Sequence, residues 1–236
     1  MDKGYTISVL DHHGFVRYID HMGTDQRICE AARISYKSPS KGEDSDKKLI
    51  EYLWKNKHTS PFEMIKLTLN IKMPIFVMRQ YVRHRMQNLN EVSARYTELP
   101  NEFYIPKEWR KQDGKNKQGS VNEEKFNPKL WADRYKDATN AVYLHCSESY
   151  ALYENLIDAG IAREMARMVL PLNIYTEIYA CWDMKNLLHF ITLRGDEHAQ
   201  WEIQEYSRAI KSICKELFPM TMEAYEKYKW KLIEEI

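Results

Sequence analysis

Ile65-Lys66-Leu67-Thr68-Leu69-Asn70-Ile71-Lys72-Met73-Pro74 is the stretch on which the fold turns. Its apolar residues fall at every second position, with Lys66, Thr68, Asn70 and Lys72 between them. A period of two places one set of side chains on one face of an extended chain, so this is a half-buried strand. Pro74 has no N–H to continue a ladder, and its fixed φ suits the first position of a helix. A helix is therefore expected over about 75–85. Upstream, Tyr5 to Leu10 and Phe15 to Ile19 are short apolar runs joined by Asp11-His12-His13-Gly14, a hairpin with a glycine in its turn. Thr24 or Asp25 can cap a short helix through Ile34, with Ile28, Ala31 and Ala32 inward. Residues 37–46 have loop composition, and Asp46 opens a helix with Leu49, Ile50 and Leu53 on one face.

Downstream, Phe103 to Ile105 suggests a short strand. Residues 107–127 hold only Trp109, Val121 and Phe126 as strong apolar residues, which predicts a solvated loop. Asn127-Pro128 starts a long helical pattern that reaches Ala159 and stops at Gly160. Further helices are predicted over about 161–170, 172–182, 184–194, 197–217 and 221–232, punctuated by Pro171, Gly195 and Pro219. No repeat or linker separates two cores. The expected fold class is α+β, a single domain over 1–236, with early strands in a hairpin and a helix-rich C-terminal half.

Composition narrows the function. A chain of 236 residues, 44% of them hydrophobic, can bury a real core without disulfides or a structural metal. Lys plus Arg is 35 and Asp plus Glu is 34, a net charge of +1 that argues against a general nucleic-acid binder. Mean hydropathy is −0.64, and apolar runs stop far short of the ~20 residues a membrane span needs. The N-terminal Met-Asp-Lys-Gly-Tyr lacks an apolar signal core, so a cytoplasmic protein is expected, with no membrane partner. Cys29, Cys146, Cys181 and Cys214 are scattered without a CxxC pair and read as free buried thiols. His12, His13, His58, His84, His145, His189 and His198 show no HExxH spacing, so a metal hydrolase is disfavoured and no metal site is expected.

The densest candidate stretch runs from Arg79 to Tyr96. It holds four arginines and His84 within 17 positions, Arg79 to Arg95, and Glu91 is its only acid. Guanidinium groups beside a core are costly unless paired, so some must find partners elsewhere, and a phosphate-bearing ligand is one such partner. A solvated basic helix end is the plainer alternative. Gln80 and His84 are four apart and share a helix face, as do Arg79 and Arg83. Asn88, Asn90, Glu91, Ser93 and Arg95 follow in an expected loop, where short polar groups and free N–H donors can hold a nucleotide. Ser93 has no nucleophile elbow around it, so anion binding suits it better than covalent chemistry.

Arg83-His84-Arg85, seven residues, then Ser93 matches the Arg-His-Arg-x7-Ser signature of flavin-dependent thymidylate synthases. His58-Thr59-Ser60-Pro61-Phe62-Glu63, the run Arg163 to Pro171 and the run Leu193 to Glu202 resemble three further segments of that family, in order and at similar spacing. The resemblance covers nearly the whole chain and is weakest over 107–127. It implies an α+β enzyme that converts dUMP to dTMP, with methylenetetrahydrofolate as carbon donor, FAD as redox carrier and NADPH as hydride source. It also implies a homotetramer with active sites shared between subunits.

By position, the resemblance assigns Ser60, Glu63, Arg83, His84, Arg85, Glu91, Lys185 and His189 to FAD, with His58 near the flavin ring. It assigns Gln80, Arg83, Glu91, Val92, Ser93, Ala94, Arg95, Arg167 and Arg194 to dUMP, with Ser93 and Arg95 toward the phosphate. Arg194 and His58 are the catalytic candidates. Arg194 is expected at the pyrimidine edge, where a cation stabilises charge built up as the ring is activated at C5. No cysteine here has the Pro-Cys context of the thiolate-dependent synthases, in keeping with a flavin route. Ion pairing of Arg167 with Glu164, and a helix-end position for Arg194, are the structural alternatives. Asp196 can cap the helix that follows.

Four positions stand out against the family pattern. Asp183 and Lys185 stand where many members have Asn-x-Arg, His189 stands where Asn or His occurs, and Met64 follows Pro-Phe-Glu where His is common. An acid near a phosphate is unfavourable, so Asp183 fits a helix cap better than a phosphate contact. Two other readings are compatible with these residues: an inactive scaffold of the same fold, and an RNA-binding module using the arginines with Tyr81, Tyr96 and Tyr104.

Overall fold

The computed structural model describes residues 1–39, 42–117, 119–122, 126–130, 135–228 and 230. The strand read from the sequence, β3 (Lys66–Pro74), lies at the centre of a five-stranded sheet. Its neighbours are β2 (Gly14–Met22), paired outward to β1 (Thr6–Val9), and β7 (Tyr175–Asp183), paired outward to β4 (Gln87–Glu91). All four pairings are antiparallel. Leu67, Leu69, Ile71 and Met73 lie opposite Trp182, Ala180, Ile178 and Thr176, and all eight are buried. One face of the sheet is therefore the floor of the main core. Each such aliphatic residue contributes roughly 1.5–3 kcal/mol when fully buried.

Helices close the core over that face: α1 (Asp25–Arg33), α2 (Glu43–Lys55), α3 (Ile75–Tyr81), α6 (Met184–Arg194), α7 (Trp201–Leu217) and α8 (Pro219–Lys227). A second small cluster of Ala94, Leu99 and Ile174 sits by the loop after β4. α4 (Ala138–Asp158), the short α5 (Arg163–Ala166) and a separate hairpin of β5 (Arg110–Gln112) and β6 (Ser120–Asn122) complete the described elements. The architecture is α+β, as expected.

Several expected boundaries are corrected. The predicted helix over 172–182 is the strand β7. Thr176, Ile178, Ala180 and Trp182 alternate on one face, but Tyr175 and Tyr179 add apolar residues in the other phase and blur the period. The helix expected to 85 ends at Tyr81, because the chain tightens into i→i+3 bonds from Arg83 to Gln80 and from His84 to Tyr81. Part of the expected loop after it is the edge strand β4, whose Gln-Asn-Leu-Asn-Glu sequence is held extended by pairing with β7. Phe103 to Ile105 contributes only a single bridge, Phe103 to Ile174. The expected loop over 107–127 contains the β5–β6 hairpin.

The long helix starts at Ala138, not Pro128, capped by the Asp137 carboxylate, which accepts from the Asn140 N–H at 2.9 Å. Residues 131–134 of the predicted span lie outside the described residues. The helix expected over 161–170 is α5 plus a 3-10 turn, Arg167–Val169. α2 begins at Glu43 rather than Asp46, α7 at Trp201 rather than 197, and α8 runs Pro219–Lys227, with 229, 231 and 232 of its predicted span outside the described residues. Thr24 holds the N-cap position of α1 without a side-chain bond. Asp196 bonds His198 instead of capping α7. Cys181 is only half-buried, unlike Cys29, Cys146 and Cys214.

Candidate active site

The site is built where α3 and α6 end beside each other. α3 carries Gln80 in its last turn, and the tight turn after it projects Arg83, His84 and Arg85. α6 is capped by Asp183, whose carboxylate accepts from the Asn186 N–H at 2.9 Å. The helix then presents Lys185 and His189 one turn apart and ends at Arg194. Gly195 follows because nothing larger fits: a Cβ there would lie 2.6 Å from the Ile191 carbonyl oxygen and 3.2 Å from Ser207 Oγ. That close approach sets the position of Arg194.

Arg194 is half-buried and fixed from two sides. Its Nε donates to His84 Nε2 at 3.0 Å and its Nη2 to the Gln80 carbonyl at 3.4 Å. Burial pulls the Arg194 pKa below its ordinary value. His84 must be neutral to accept this bond. Burial, with smaller contributions from Arg194 and His189, lowers its pKa to about 4. His189 is lowered as well, by burial and then by Lys185.

These residues line a cavity of about 710 Å³. Arg83, His84, Arg85, Lys185, His189 and Arg194 supply its polar wall, and the indoles of Trp54, Trp182 and Trp230 its flat apolar wall. Trp230 stacks on Trp54 with centroids 3.9 Å apart and donates to the Trp54 carbonyl at 3.1 Å. Arg83 and Arg85 have no carboxylate partner among the described residues. Lys185 faces Glu63 at 3.7 Å, which brings one more predicted residue to the cavity edge. The three tryptophans are not among the residues the sequence singles out, because no short-range spacing links them. Trp230 stands 176 positions from the Trp54 carbonyl it binds.

Residues 17–220 match a family model described as "Thymidylate synthase complementing protein". A flavin-dependent thymidylate synthase of Thermus thermophilus is 46% identical over 228 residues, which is 97% of this chain and 81% of the relative. One from Treponema denticola is 45% identical over 231 residues, 97% of this chain and 84% of the relative. A solved structure, a UMP/dUMP methylase PolB from Streptomyces cacaoi bound with 5-Br UMP, is 30% identical with a TM-score of 0.80, over 94% of this chain and 97% of that one. The chain belongs to the flavin-dependent thymidylate synthase family.

A flavin-dependent thymidylate synthase needs room for a dinucleotide, cations for its phosphates and flat surfaces for its rings. The cavity offers all three: unpaired Arg83 and Arg85 beside Lys185, and three indoles. The residues present therefore fit FAD. Asp183 caps α6 and stands 3.9 Å from Lys66, in the helix-cap position the sequence favoured for it. Three of the four thiols are not poised for attack: burial raises the pKa of Cys29 and Cys214 to about 12 and that of Cys146 upward.

The other predicted residues form a second group, on the sheet edge. The β4–β7 register puts Gln87, Leu89 and Glu91 on the same face as Trp182. Glu91 accepts from Thr176 Oγ1 at 2.7 Å. The Val92 N–H donates to the Glu177 carbonyl at 2.9 Å, and Ser93 Oγ accepts from the Arg95 N–H at 3.3 Å. Ala94 is buried beneath them. Arg95 pairs with the Glu164 carboxylate at 3.4 Å, and exposed Arg167 donates from Nε to the Glu164 backbone carbonyl at 3.4 Å, so the ion pair weighed for Arg167 does not form. None of Glu91 to Arg95 or Arg167 lines the cavity. His58 is exposed with its ring edge-on to Tyr52, 5.8 Å between centroids, and Ser60 is exposed in the turn that leads to Glu63. Among the described residues no three His, Cys, Asp or Glu side chains converge on a metal position, and no helix is long and apolar enough to cross a membrane.

Proposed function

We propose that this chain carries out the reductive methylation of dUMP to dTMP, as one domain over 1–236. Methylenetetrahydrofolate would supply the carbon and NADPH the hydride. The observation that carries the reading is Arg194, a half-buried cation held by His84 and Gln80 at a cavity lined by further unpaired arginines. A cation fixed at the pyrimidine N3/O4 edge stabilises the negative charge that develops as C5 is made nucleophilic, without a thiolate on C6.

In this reading Ser60, Glu63, Arg83, His84, Arg85, Glu91, Lys185 and His189 hold FAD, and His58 stands near its ring. Bound FAD supplies the hydride chemistry that no protein side chain can. Gln80, Arg83, Glu91, Val92, Ser93, Ala94, Arg95, Arg167 and Arg194 hold dUMP, with the Ser93 and Ala94 N–H groups, which have no partner among the described residues, suited to its phosphate. The division into a cavity group and an edge group supports a homotetramer whose sites combine residues of different subunits. A cytoplasmic enzyme suits this chemistry and the free thiols.

The test is Arg194→Ala, assayed with FAD, NADPH, the folate and either dUMP or UMP, since a structural relative is described as a UMP/dUMP methylase. dTMP formation should fall by about a hundredfold or more, while the two-banded flavin absorption is kept. Unchanged turnover removes Arg194 from the chemistry. A wild-type chain that stays colourless with added FAD overturns the whole reading.

A further inference from the structure

Gln80 is tied to a chain of polar groups that ends deep in the fold. Its Nε2 donates to Oε1 of Gln200. Gln200 Nε2 donates to Glu202 Oε2 at 2.7 Å. Glu202 is 3% exposed and receives Arg110 Nη2 on both oxygens, at 2.6 and 2.8 Å, and the Tyr104 hydroxyl at 3.4 Å. Arg110 comes from β5, in the stretch of sequence that looked least informative.

The order of donors in this chain is forced. A carboxylate only accepts, so Gln200 must turn its NH2 to Glu202 and its carbonyl oxygen to Gln80. Gln80 must then turn its own NH2 to Gln200. The half-buried Arg110 holds the Glu202 carboxylate in place through both of its oxygens. Without this anchor either amide could rotate by 180°, and Gln80 would present its two polar ends to a ligand interchangeably.

We infer that Arg110, Glu202 and Gln200 are positioning residues that act through Gln80, holding its carboxamide in the one orientation used to bind the nucleotide. This rests on the reading of Gln80 as a dUMP contact. It gives the β5–β6 hairpin a role at a site it does not line: it supplies the cation that polarises the relay.

A double-mutant cycle tests it on the FAD-loaded protein. The dissociation constant for dUMP is measured for wild type, Gln80→Met, Gln200→Met and the double variant, with thermal unfolding of each. Each single change should weaken dUMP about tenfold, the loss of one oriented hydrogen bond, and the double variant should bind no worse than Gln80→Met alone. A Gln200→Met effect that persists undiminished in the Gln80→Met background overturns the relay, because the residue then acts elsewhere. So does a Gln200→Met protein that binds dUMP normally while Gln80→Met does not. If Gln80→Met itself binds dUMP normally, the nucleotide reading of Gln80 fails first and the relay with it. Glu202→Gln, which removes the acceptor-only end, should behave as Gln200→Met does. Should loss of the buried pair with Arg110 unfold that variant, the Gln200→Met cycle alone decides.

Discussion

His84 meets Arg194 as an acceptor, and that contact has a consequence in pH. In the unfolded chain a histidine takes its proton near 6.5, but in the fold burial holds His84 near 4. Between those values the unfolded state binds more protons, so the stability present above pH 6.5 is lost as pH falls toward 4. His189 shifts in the same direction. The urea midpoint should therefore drop across this window, and less steeply in His84→Gln, which keeps an acceptor for Arg194 but has nothing to protonate. Equal slopes in the two proteins would remove His84 as a source of the acid sensitivity. At this scale the sequence was informative about identity and silent about partners. Arg83, His84, Arg85 and Ser93 stood out by spacing. That Arg194 lies against His84 across 110 positions, and that Gln200 and Glu202 matter at all, follows only from contacts between distant segments.

Among the elements, α8 shows how a local cap can come from far away. Its first free N–H groups, on Met220 and Thr221, donate to the Asp25 carboxylate at 2.8 and 3.2 Å, and Thr221 Oγ1 adds a third bond at 2.5 Å. Thr24 or Asp25 is the cap expected for α1; Asp25 is instead buried, 5% exposed, and caps α8. Asp25→Ala should cost about 2–3 kcal/mol, a lost cap plus two buried N–H groups without acceptors. Asp25→Asn should cost less, and urea denaturation of the three proteins reads the difference. A loss below 0.5 kcal/mol, roughly that of an ordinary surface change, would show that water can reach the end of α8. β3 and α6 were legible because their own patterns are clean. β7 and β4 were not, because each becomes a strand only when its neighbour is present, and their side chains alone do not choose between helix, loop and sheet.

Neither edge of the main sheet, β1 or β4, has a further strand beside it among the described residues. β4 has no neighbour beyond it, and Tyr96, Met168 and Leu172, near the Arg95–Glu164 pair and the start of β7, are 76%, 72% and 63% exposed. Unpaired edges and grouped apolar side chains are surfaces that further copies can cover. In sedimentation the wild type should run as a tetramer, and Leu172→Glu should shift it to smaller species, with turnover lost and far-UV circular dichroism kept. An active monomeric wild type would sink the shared-site reading.

By itself, the sequence determined the α+β class, the central strand, the residues of the Arg-His-Arg-x7-Ser signature and the absence of a poised thiol context, since these depend on residue type and short spacing. The tertiary structure alone decided that 172–182 is a strand and that α3 and α6 end side by side. It also decided that three indoles wall the cavity and that a charge on β5 orients an amide on α3. Those outcomes depend on hydrogen bonds and packing between segments far apart in the chain, and such contacts leave no periodic trace in the residues that make them.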